Sequence, residues 1–260
     1  MSVAGIDSGL HATKVVLMNN GEILSKAVLT SGLEDAYTIA ERALKIAMGQ
    51  CALPGDSYKY ILATGQGKSH ITFADESAPD SICLARAVYK VLPSVHTILD
   101  IGAAHTLVVK CSKGIATGAV NSDKCAAGSG TYLEIVSAIL GVSFENMGGI
   151  SLKSTEKIEV NSQCAVFAES EIISLVHSKK RIEDILGGVY RGLALRLYPQ
   201  LLQVGLEKDI ALVGGMAQDI GLRSAIEELL GHKIMFPEDP ITIGALGAAI
   251  VAEEKVKPGK

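Results

Sequence analysis

An internal repeat constrains the fold of this chain more than any other feature of its sequence. Asp7-Ser8-Gly9 is followed by an apolar run with paired valines and then by a glycine, and Asp100-Ile101-Gly102 is followed by the same pattern. The two aspartates are 93 positions apart (100 − 7), and the same offset separates the valines and the glycines: Val15 and Val108, Gly21 and Gly114. Offsets that agree without a gap favour duplication of one unit over a coincidental repeat in a single α/β domain.

Each copy of the repeat predicts the same local structure. A strand leads into a tight Asp-Gly turn, and a second strand ends at a hairpin turn, Asn19-Asn20-Gly21 or Ser112-Lys113-Gly114. Third strands are predicted at 23–30 and 115–120. Apolar periodicity with glycine or proline stops predicts the other elements: helices at 33–48, 81–92, 131–140, 168–177, 182–203, 222–230 and 243–254, and strands at 58–64 and 208–213.

These elements predict an α/β protein built from two related domains that face one another. The first domain is expected at residues 1–96 and the second at 97–242. The C-terminal helix, 243–256, is expected to pack back on the first domain. No linker rich in proline or serine separates the two, so the boundary depends on the repeat alone.

Composition excludes several classes of protein. With 48% hydrophobic residues and a net charge of −4, the 260-residue chain is neither disordered nor basic enough to indicate a nucleic-acid partner. Five cysteines are too few for a secreted disulfide scaffold of this length. The N-terminal residues lack a basic segment, and no apolar run approaches the ~20 residues that span a bilayer. We therefore expect a cytoplasmic protein with reduced cysteines and no membrane partner.

The two Asp-Gly turns have the chemistry of a phosphate site. Backbone N–H groups in a turn of small residues can point at an anion, and glycine lets the backbone approach a ligand. An aspartate would repel phosphate unless Mg²⁺ lies between them. Two such turns predict a clamp on the β- and γ-phosphates of a nucleotide, and the late segment 212–218, which contains Gly214-Gly215, suits a base or ribose. Walker A and Gly-x-Gly-x-x-Gly sequences are both absent.

These motifs resemble those of the sugar kinase, heat-shock protein 70 and actin superfamily. Within it, segments 121–131 and 162–171 are similar to the ATP-dependent activators of 2-hydroxyacyl-CoA dehydratases and the related ATPase subunits of benzoyl-CoA reductase. The resemblance covers nearly the whole chain, as far as 244–249. It implies two duplicated actin- and hexokinase-like (ribonuclease H-like) domains with a nucleotide cleft between them. It also implies an ATPase that drives an electron at low potential to a partner enzyme.

The resemblance assigns roles to particular residues. Asp7 and Asp100 are implied as catalytic, and His105, at a position where the chain departs from the family pattern, is a catalytic candidate by hypothesis. Those implied to bind ATP or ADP with Mg²⁺ are Gly9, Thr13 and Lys14 in the first turn, Gly102 in the second, Gly128, Ser129 and Gly130 at a helix start, and Gly214, Gly215 and Gln218 at the adenosine.

Two of the cysteines are candidate ligands of an iron–sulfur cluster. Cys125 and Cys164 each stand just before a predicted helix, whose N-terminus favours a thiolate and an anionic cluster. A [4Fe–4S] cluster needs four cysteines, so a dimer that shares one cluster is the economical solution, and the resemblance implies the same arrangement. Zinc is disfavoured because paired local ligands are absent. Cys51, Cys83 and Cys111 are interpreted as buried structural thiols.

The resemblance also implies partners. These are a second copy of the chain or a sister subunit, a downstream CoA-ester dehydratase or reductase, and ferredoxin or flavodoxin as the electron donor. Two other functions stay open: a sugar or acyl kinase of the same fold, which would need neither Cys125 nor Cys164, and a subunit of a heterodimer that hydrolyses ATP weakly or not at all.

The chain departs from the family pattern at both turns. The activators usually read Asp-Ile-Gly-Gly-Gln-Asp at the second turn, where this chain has Ala103-Ala104-His105 after Gly102. This pattern is closer to one of the two unequal ATPase subunits of benzoyl-CoA reductase, and it puts the Mg²⁺ environment in doubt. In the first turn, His11 stands within a stretch that usually reads Gly-Ser-Thr-Ala-Ser. One hypothesis is that His11 and His105 face each other across the nucleotide cleft; the alternative is that turn backbone satisfies both imidazoles.

Overall fold

The computed structural model describes residues 2–51, 58–122, 130–160 and 165–256. The chain divides into two compact units. The first comprises Met1–Ile98, Cys111–Thr117 and Pro237–Lys260, and the second comprises Leu99–Lys110 and Gly118–Phe236.

The first unit contains a five-stranded mixed sheet in the order β3-β2-β1-β4-β5. Strands β1, β2 and β3 form an antiparallel meander, whereas β1 and β4, and β4 and β5, are parallel. The elements are β1 Ser2–Ser8, β2 Ala12–Asn19, β3 Glu22–Thr30, α1 Ala36–Gln50, β4 Tyr58–Thr64, β5 Glu76–Ser77, α2 Asp80–Val91 and α8 Ile243–Val256. Helix α8 packs against β1, β4 and α2.

Helix α1 covers one face of this sheet. Its buried residues Ala40, Ala43 and Ala47 recur at helical spacing and join a core with the alternate strand residues Ile6 and Val15. The helix begins at Ala36, later than the predicted 33, because the Asp35 side chain accepts the N–H of Thr38 at 2.9 Å and caps it.

The second sheet has four strands in the order β8-β7-β6-β9. The elements are β6 Thr97–Ile101, β7 Thr106–Ser112, β8 Ile115–Ser122, α3 Gly130–Leu140, α4 Phe144–Ser151, α5 Ala165–His177, α6 Ile182–Val204, β9 Ile210–Val213 and α7 Ile220–Leu230. The core of the second unit combines strand residues such as Leu99 and Leu212 with Leu133 of α3 and Val189 of α6.

The predicted α/β fold class is confirmed, and the predicted helices and strands are all present, most of them with shifted ends. Helix α4 was not predicted. Its sequence contains Gly148-Gly149, which has poor helix propensity, and it is only eight residues long. Gly148 is required there by packing, because a methyl group in its place would lie 2.7 Å from Asp219 Oδ1 and 2.8 Å from the Gly221 nitrogen.

Among the described residues, no single helix has both the length and the apolarity to cross a membrane. Helices α3 and α4 meet those criteria only when they are taken together, and the chain bends by 87° between them.

Candidate functional site

The first Asp-Gly turn joins β1 to β2 in the first unit. The Gly9 N–H donates to the Ala12 carbonyl at 3.1 Å and closes the turn. Asp7 and Lys14 lie opposite each other in the antiparallel pair, and Asp7 Oδ2 is 3.3 Å from Lys14 Nζ. The turn therefore presents a carboxylate and an ammonium group side by side.

The Asp7 carboxylate is packed between two glycines. A methyl group added at Gly65, just after β4, would lie 2.6 Å from Asp7 Oδ1 and 2.5 Å from the Ser8 carbonyl oxygen. One added at Gly244 would lie 2.8 Å from Asp7 Oδ2. Gly65 has φ +89°, which other residues rarely adopt. Both sides of the carboxylate are thus walled by backbone.

The second turn joins β6 to β7 in the second unit and repeats this arrangement. The Gly102 N–H donates to the His105 carbonyl at 3.0 Å. Gly214, just after β9, has φ +86°, and a methyl group there would overlap Asp100 Oδ1 and lie 2.6 Å from the Ile101 carbonyl oxygen. Gly214 therefore closes on Asp100 as Gly65 closes on Asp7.

The cationic partner of the aspartate differs between the turns. His105 Nε2 lies 3.5 Å from Asp100 Oδ2, with both side chains more than four-fifths buried. The imidazole also lies against Gly102, where an added methyl group would be 2.9 Å from His105 Nδ1. The second turn thus places a titratable imidazole where the first places the ammonium group of Lys14.

Helix α3 is bonded directly to the second turn. The Gly130 N–H donates to the Gly102 carbonyl at 3.0 Å, and Thr131 donates to the Ala103 carbonyl from both its N–H, at 2.8 Å, and its hydroxyl, at 2.6 Å. The N–H groups of Gly9, Gly102 and Gly130 are therefore engaged within the protein. The assignment of these three glycines to the nucleotide stays a prediction.

The segment after β9 lines a cleft of about 330 Å³ in the second unit. The cleft is lined by Phe144, Glu145 and Gly148 from α4 and by Gly215, Met216, Gln218, Asp219 and Ile220. The position of a side chain at Gly215 is open, with no atom within 4 Å of a methyl group placed there. Gly215 and Gln218, predicted at the adenosine, thus border the same space, whereas Gly214 contacts Asp100.

One wall of this cleft is held rigidly. Asp219 caps α7 by accepting the N–H groups of Gly221 at 2.8 Å and Leu222 at 3.0 Å, and it also accepts the Tyr190 hydroxyl at 2.6 Å. Burial, with the adjacent negative charge of Asp219, raises the pKa of Tyr190 far above its usual range. Tyr190 therefore stays a hydrogen-bond donor to Asp219.

Thr13 is placed apart from the Asp7 carboxylate. Because neighbouring strand residues point to opposite faces, Thr13 shares the face of Val15, opposite to Lys14. Its buried hydroxyl has no hydrogen-bond partner among the described residues. Its assignment to the nucleotide stays a prediction, as does the facing of His11 and His105.

The predicted cluster ligands and part of the predicted helix-start site lie outside the described residues: Cys125, Cys164, Gly128 and Ser129. Within the described ranges, no group of three or more His, Cys, Asp or Glu side chains is placed to hold a metal ion. The three cysteines within the described ranges, Cys51, Cys83 and Cys111, form no disulfide with one another. Burial raises the pKa of the Cys83 thiol to about 12.

Several residues of this region were not predicted from the sequence. Gly65, Gly244 and Asp80 surround the first turn, and Glu145 and Asp219 line the cleft. The run Gly65-Gln66-Gly67 after a predicted strand carried a signal, since it parallels Gly214-Gly215 after β9. Gly244 and Asp80 carried none, because their proximity depends on how distant segments pack.

Comparison with known proteins identifies relatives along almost the full chain. Residues 4–252 match the BadF/BadG/BcrA/BcrD ATPase family. The chain is 33% identical over 259 residues to the 2-hydroxyisocaproyl-CoA dehydratase activator of Clostridioides difficile, covering 99% of this chain and 97% of that protein. It is 34% identical over 253 residues to the (R)-2-hydroxyglutaryl-CoA dehydratase activating ATPase of Acidaminococcus fermentans, with 96% of each covered. A benzoyl-CoA reductase subunit of Thauera aromatica is 30% identical, with 95% and 91% covered.

Solved structures agree with these relatives. Component A of the A. fermentans (R)-2-hydroxyglutaryl-CoA dehydratase superposes with a TM-score of 0.93 at 33% identity and 98% coverage of both chains. The C. difficile activator with bound ADPNP superposes with a TM-score of 0.90 at 32% identity over the full length of both. A ROK hexokinase from Thermus thermophilus, at 14% identity with full coverage of both chains and a TM-score of 0.53, shares the fold alone. The resemblance identified from the motifs is confirmed.

Proposed function

Because the chain belongs to the BadF/BadG/BcrA/BcrD ATPase family, we propose that it is an ATP-hydrolysing activator of a partner iron–sulfur enzyme. In this proposal, ATP binding and hydrolysis drive a low-potential electron from a [4Fe–4S] cluster, shared by two subunits, to an enzyme that acts on CoA thioesters. The observation that carries the ATPase part is the repeated contact of a glycine with an aspartate, Gly65 with Asp7 and Gly214 with Asp100.

The residues present fit a nucleotide. The cleft beside Gly215 and Gln218 offers about 330 Å³, and no side chain occupies the space next to Gly215. We assign this cleft to the adenosine. Mg²⁺ with its water shell, when bound, would offset the charge of the phosphates, and a carboxylate at either turn, Asp7 or Asp100, would supply an oxygen ligand for it.

The two turns would then have different tasks. Lys14, 3.3 Å from Asp7, supplies positive charge at the first turn and favours binding of a phosphate. His105, 3.5 Å from Asp100, is the side chain of the second turn that could transfer a proton. We assign His105 the role of orienting and deprotonating the attacking water, which the missing Gln and Asp of the usual family turn would otherwise serve.

The assignment of the cluster ligands is supported by the positions of Cys125 and Cys164 shortly before the N-termini of two helices. Helix α5 begins at Ala165, the residue after Cys164, and α3 begins at Gly130, five residues after Cys125. A helix N-terminus carries partial positive charge that stabilises thiolates. A [4Fe–4S] cluster, when bound, supplies a one-electron carrier, and two cysteines per chain supply half its ligands.

The partner follows from the relatives. Two are described as an activator or activating ATPase of a 2-hydroxyacyl-CoA dehydratase, and one as a subunit of benzoyl-CoA reductase. We therefore propose a dehydratase or reductase of CoA thioesters as the electron acceptor, and a reduced ferredoxin or flavodoxin as the donor.

A specific observation favours a second candidate, a subunit that hydrolyses ATP weakly and pairs with a sister chain. The second turn reads Ala103-Ala104-His105 where the activators usually have Gln and Asp, and only the imidazole of this stretch contacts Asp100 among the described side chains. ATP hydrolysis by the chain alone supports the first function. Hydrolysis that begins only when a sister subunit is added supports the second.

Anaerobic purification with an iron count, a visible spectrum and sizing tests the main proposal. We expect brown protein with about two irons per chain in a dimer. Cys164→Ser is expected to lose the iron and the colour, whereas Cys51→Ser, at a half-buried thiol outside the cluster assignment, keeps both. An iron-free monomer that still binds ATP would contradict the cluster assignment.

A further inference from the structure

The loop after β4 touches the first turn at several points. Gly65 lies against the Asp7 carboxylate, and the Gly67 N–H donates to the Ser8 carbonyl at 2.9 Å. The position of this loop therefore determines how much room the Asp7 carboxylate has. The residues that hold this loop in place would therefore affect any metal or phosphate bound beside Asp7.

Asp80, the first residue of α2, holds this loop from the other side. Its Oδ1 accepts the Gly65 N–H at 2.8 Å and the Thr64 hydroxyl at 2.8 Å. Lys68 Nζ lies 3.5 Å from the same oxygen and donates to the Gly65 carbonyl at 3.2 Å. Both backbone polar groups of Gly65 are thus bonded by the Asp80–Lys68 pair.

The geometry of these contacts suits positioning. The Asp80 side chain is 22% exposed and that of Lys68 is 33% exposed, so the pair is partly shielded from water. Hydrogen bonds to a charged group are stronger than neutral ones, and Gly65 without them would be free to relax from its positive φ. Movement of Gly65 would remove one of the two backbone walls around Asp7.

We propose that Asp80, assisted by Lys68, is a positioning residue that holds Gly65 against Asp7 and thereby sets the orientation of the Asp7 carboxylate toward Mg²⁺-nucleotide. This inference rests on the proposed ATPase function. Asp80 acts through Gly65 and is assigned no contact with the nucleotide.

Asp75 provides a matched control. Its carboxylate accepts the N–H of Ile61 at 2.7 Å. Like Asp80, Asp75 therefore lies after β4 in the chain and accepts a backbone N–H from the β4 region. Ile61 lies toward the middle of β4, away from the turn. Asp80→Ala and Asp75→Ala therefore remove the same type of contact at different distances from Asp7.

The experiment measures ADP affinity by calorimetry with and without Mg²⁺, and kcat for ATP, in the full-length protein. Asp80→Ala is expected to lower kcat and the Mg²⁺-dependent gain in ADP affinity each about tenfold, as loss of supporting residues around a metal does. ADP affinity without Mg²⁺ is expected to stay within about twofold, because the adenosine cleft is untouched. Asp75→Ala is expected to match the wild-type protein in all three quantities.

Lys68→Met serves as a second variant, since a partly exposed side chain can be replaced without loss of the fold. It is expected to change the same two quantities in the same direction by a smaller factor. Equal values for Asp80→Ala and Asp75→Ala overturn the inference and leave the ATPase proposal standing. Loss of Mg²⁺-free ADP affinity in Lys68→Met also overturns it, by making Lys68 a phosphate ligand. A wild-type protein that neither binds ADP nor hydrolyses ATP overturns the proposed function itself.

Discussion

The Asp7 turn and the Asp100 turn have the same backbone plan and different supports. In each, a glycine of positive φ that follows a strand closes on the aspartate. The first turn is braced by side chains, through Asp80 and Lys68 acting on Gly65. The second is braced by the start of α3, whose Gly130 and Thr131 N–H groups and Thr131 hydroxyl donate to the Gly102 and Ala103 carbonyls. The duplication therefore kept the glycine contact and left the surrounding chemistry to diverge.

The difference extends to the charge beside each aspartate. Asp7 faces an ammonium group on the neighbouring strand, whereas Asp100 faces an imidazole from its own turn. A lysine suits the binding of phosphate, and a histidine suits proton transfer. In the proposed function, the first turn would therefore bind phosphate and the second would transfer a proton.

The largest expected effect comes from adding a methyl group to the glycines that the two turns share. Gly65→Ala and Gly214→Ala each place an atom against the facing aspartate in a backbone conformation that alanine disfavours. We expect each to lower the free energy of unfolding by about 3 kcal/mol, from strain and overlap together. Urea unfolding of both variants measures this.

The control is the adjacent residue, Gly215, whose added methyl group meets open space. Gly215→Ala is expected to change the free energy of unfolding by less than about 0.5 kcal/mol. If the losses in free energy of unfolding differed widely between Gly65→Ala and Gly214→Ala, the two glycines would not have equivalent roles in the two turns.

A larger side chain at Gly215 is expected to lower the affinity for ATP without lowering the stability of the fold. Gly215 borders the cleft that we assign to the adenosine and has open space around it, so a leucine there (Gly215→Leu) is expected to fill part of the cleft. We expect ATP affinity to fall at least about tenfold, equivalent to about 1.4 kcal/mol, with little change in the unfolding midpoint. Calorimetric titration with ATP measures this affinity. An unchanged affinity would contradict the assignment of the adenosine to this cleft.

Replacing the two basic partners tests the division of tasks between the turns. His105→Ala is expected to lower kcat for ATP about 100-fold, the contribution of a general base, with a small change in KM. Lys14→Met is expected to act mainly on KM, because it removes charge that favours the phosphates.

The kcat of His105→Ala decides this assignment. Turnover by His105→Ala equal to that of the wild-type protein rules out a catalytic role for the imidazole.

The smallest effect concerns a thiol beside the first turn. Burial, opposed by a hydrogen bond from Thr64 but reinforced by the charges of Asp80 and Asp7, raises the pKa of Cys83 to about 12. At pH 8 the thiol therefore stays protonated, and thiolate is the reactive form. Peptide mapping after iodoacetamide treatment is expected to find half-buried Cys51 labelled first and Cys83 labelled only after unfolding. Rapid labelling of Cys83 in the native protein would indicate that the first turn opens readily.

Much of the fold could be predicted because its signals are local. Strand β4 was placed without error at 58–64, and helices α6 and α8 were placed to within two residues, since apolar spacing and glycine stops reflect burial directly. Helix α4 escaped prediction because Gly148 lowers helix propensity while serving a contact with α7. Of the site, the motif residues were predicted, whereas Gly244, Asp80 and Asp219 were not.

The sequence alone determined the duplication, the Asp-Gly turns, the order of elements and the family, because each depends on residue type and spacing along the chain. Only the tertiary structure decided which glycine closes on which aspartate. Gly65 reaches Asp7 because β4 pairs in parallel with β1, and Gly214 reaches Asp100 because β9 lies beside β6. Strand order arises from the packing of the whole core, and no local pattern records it. The same reason hides Asp80, whose partners become neighbours only once α2 is folded against that sheet.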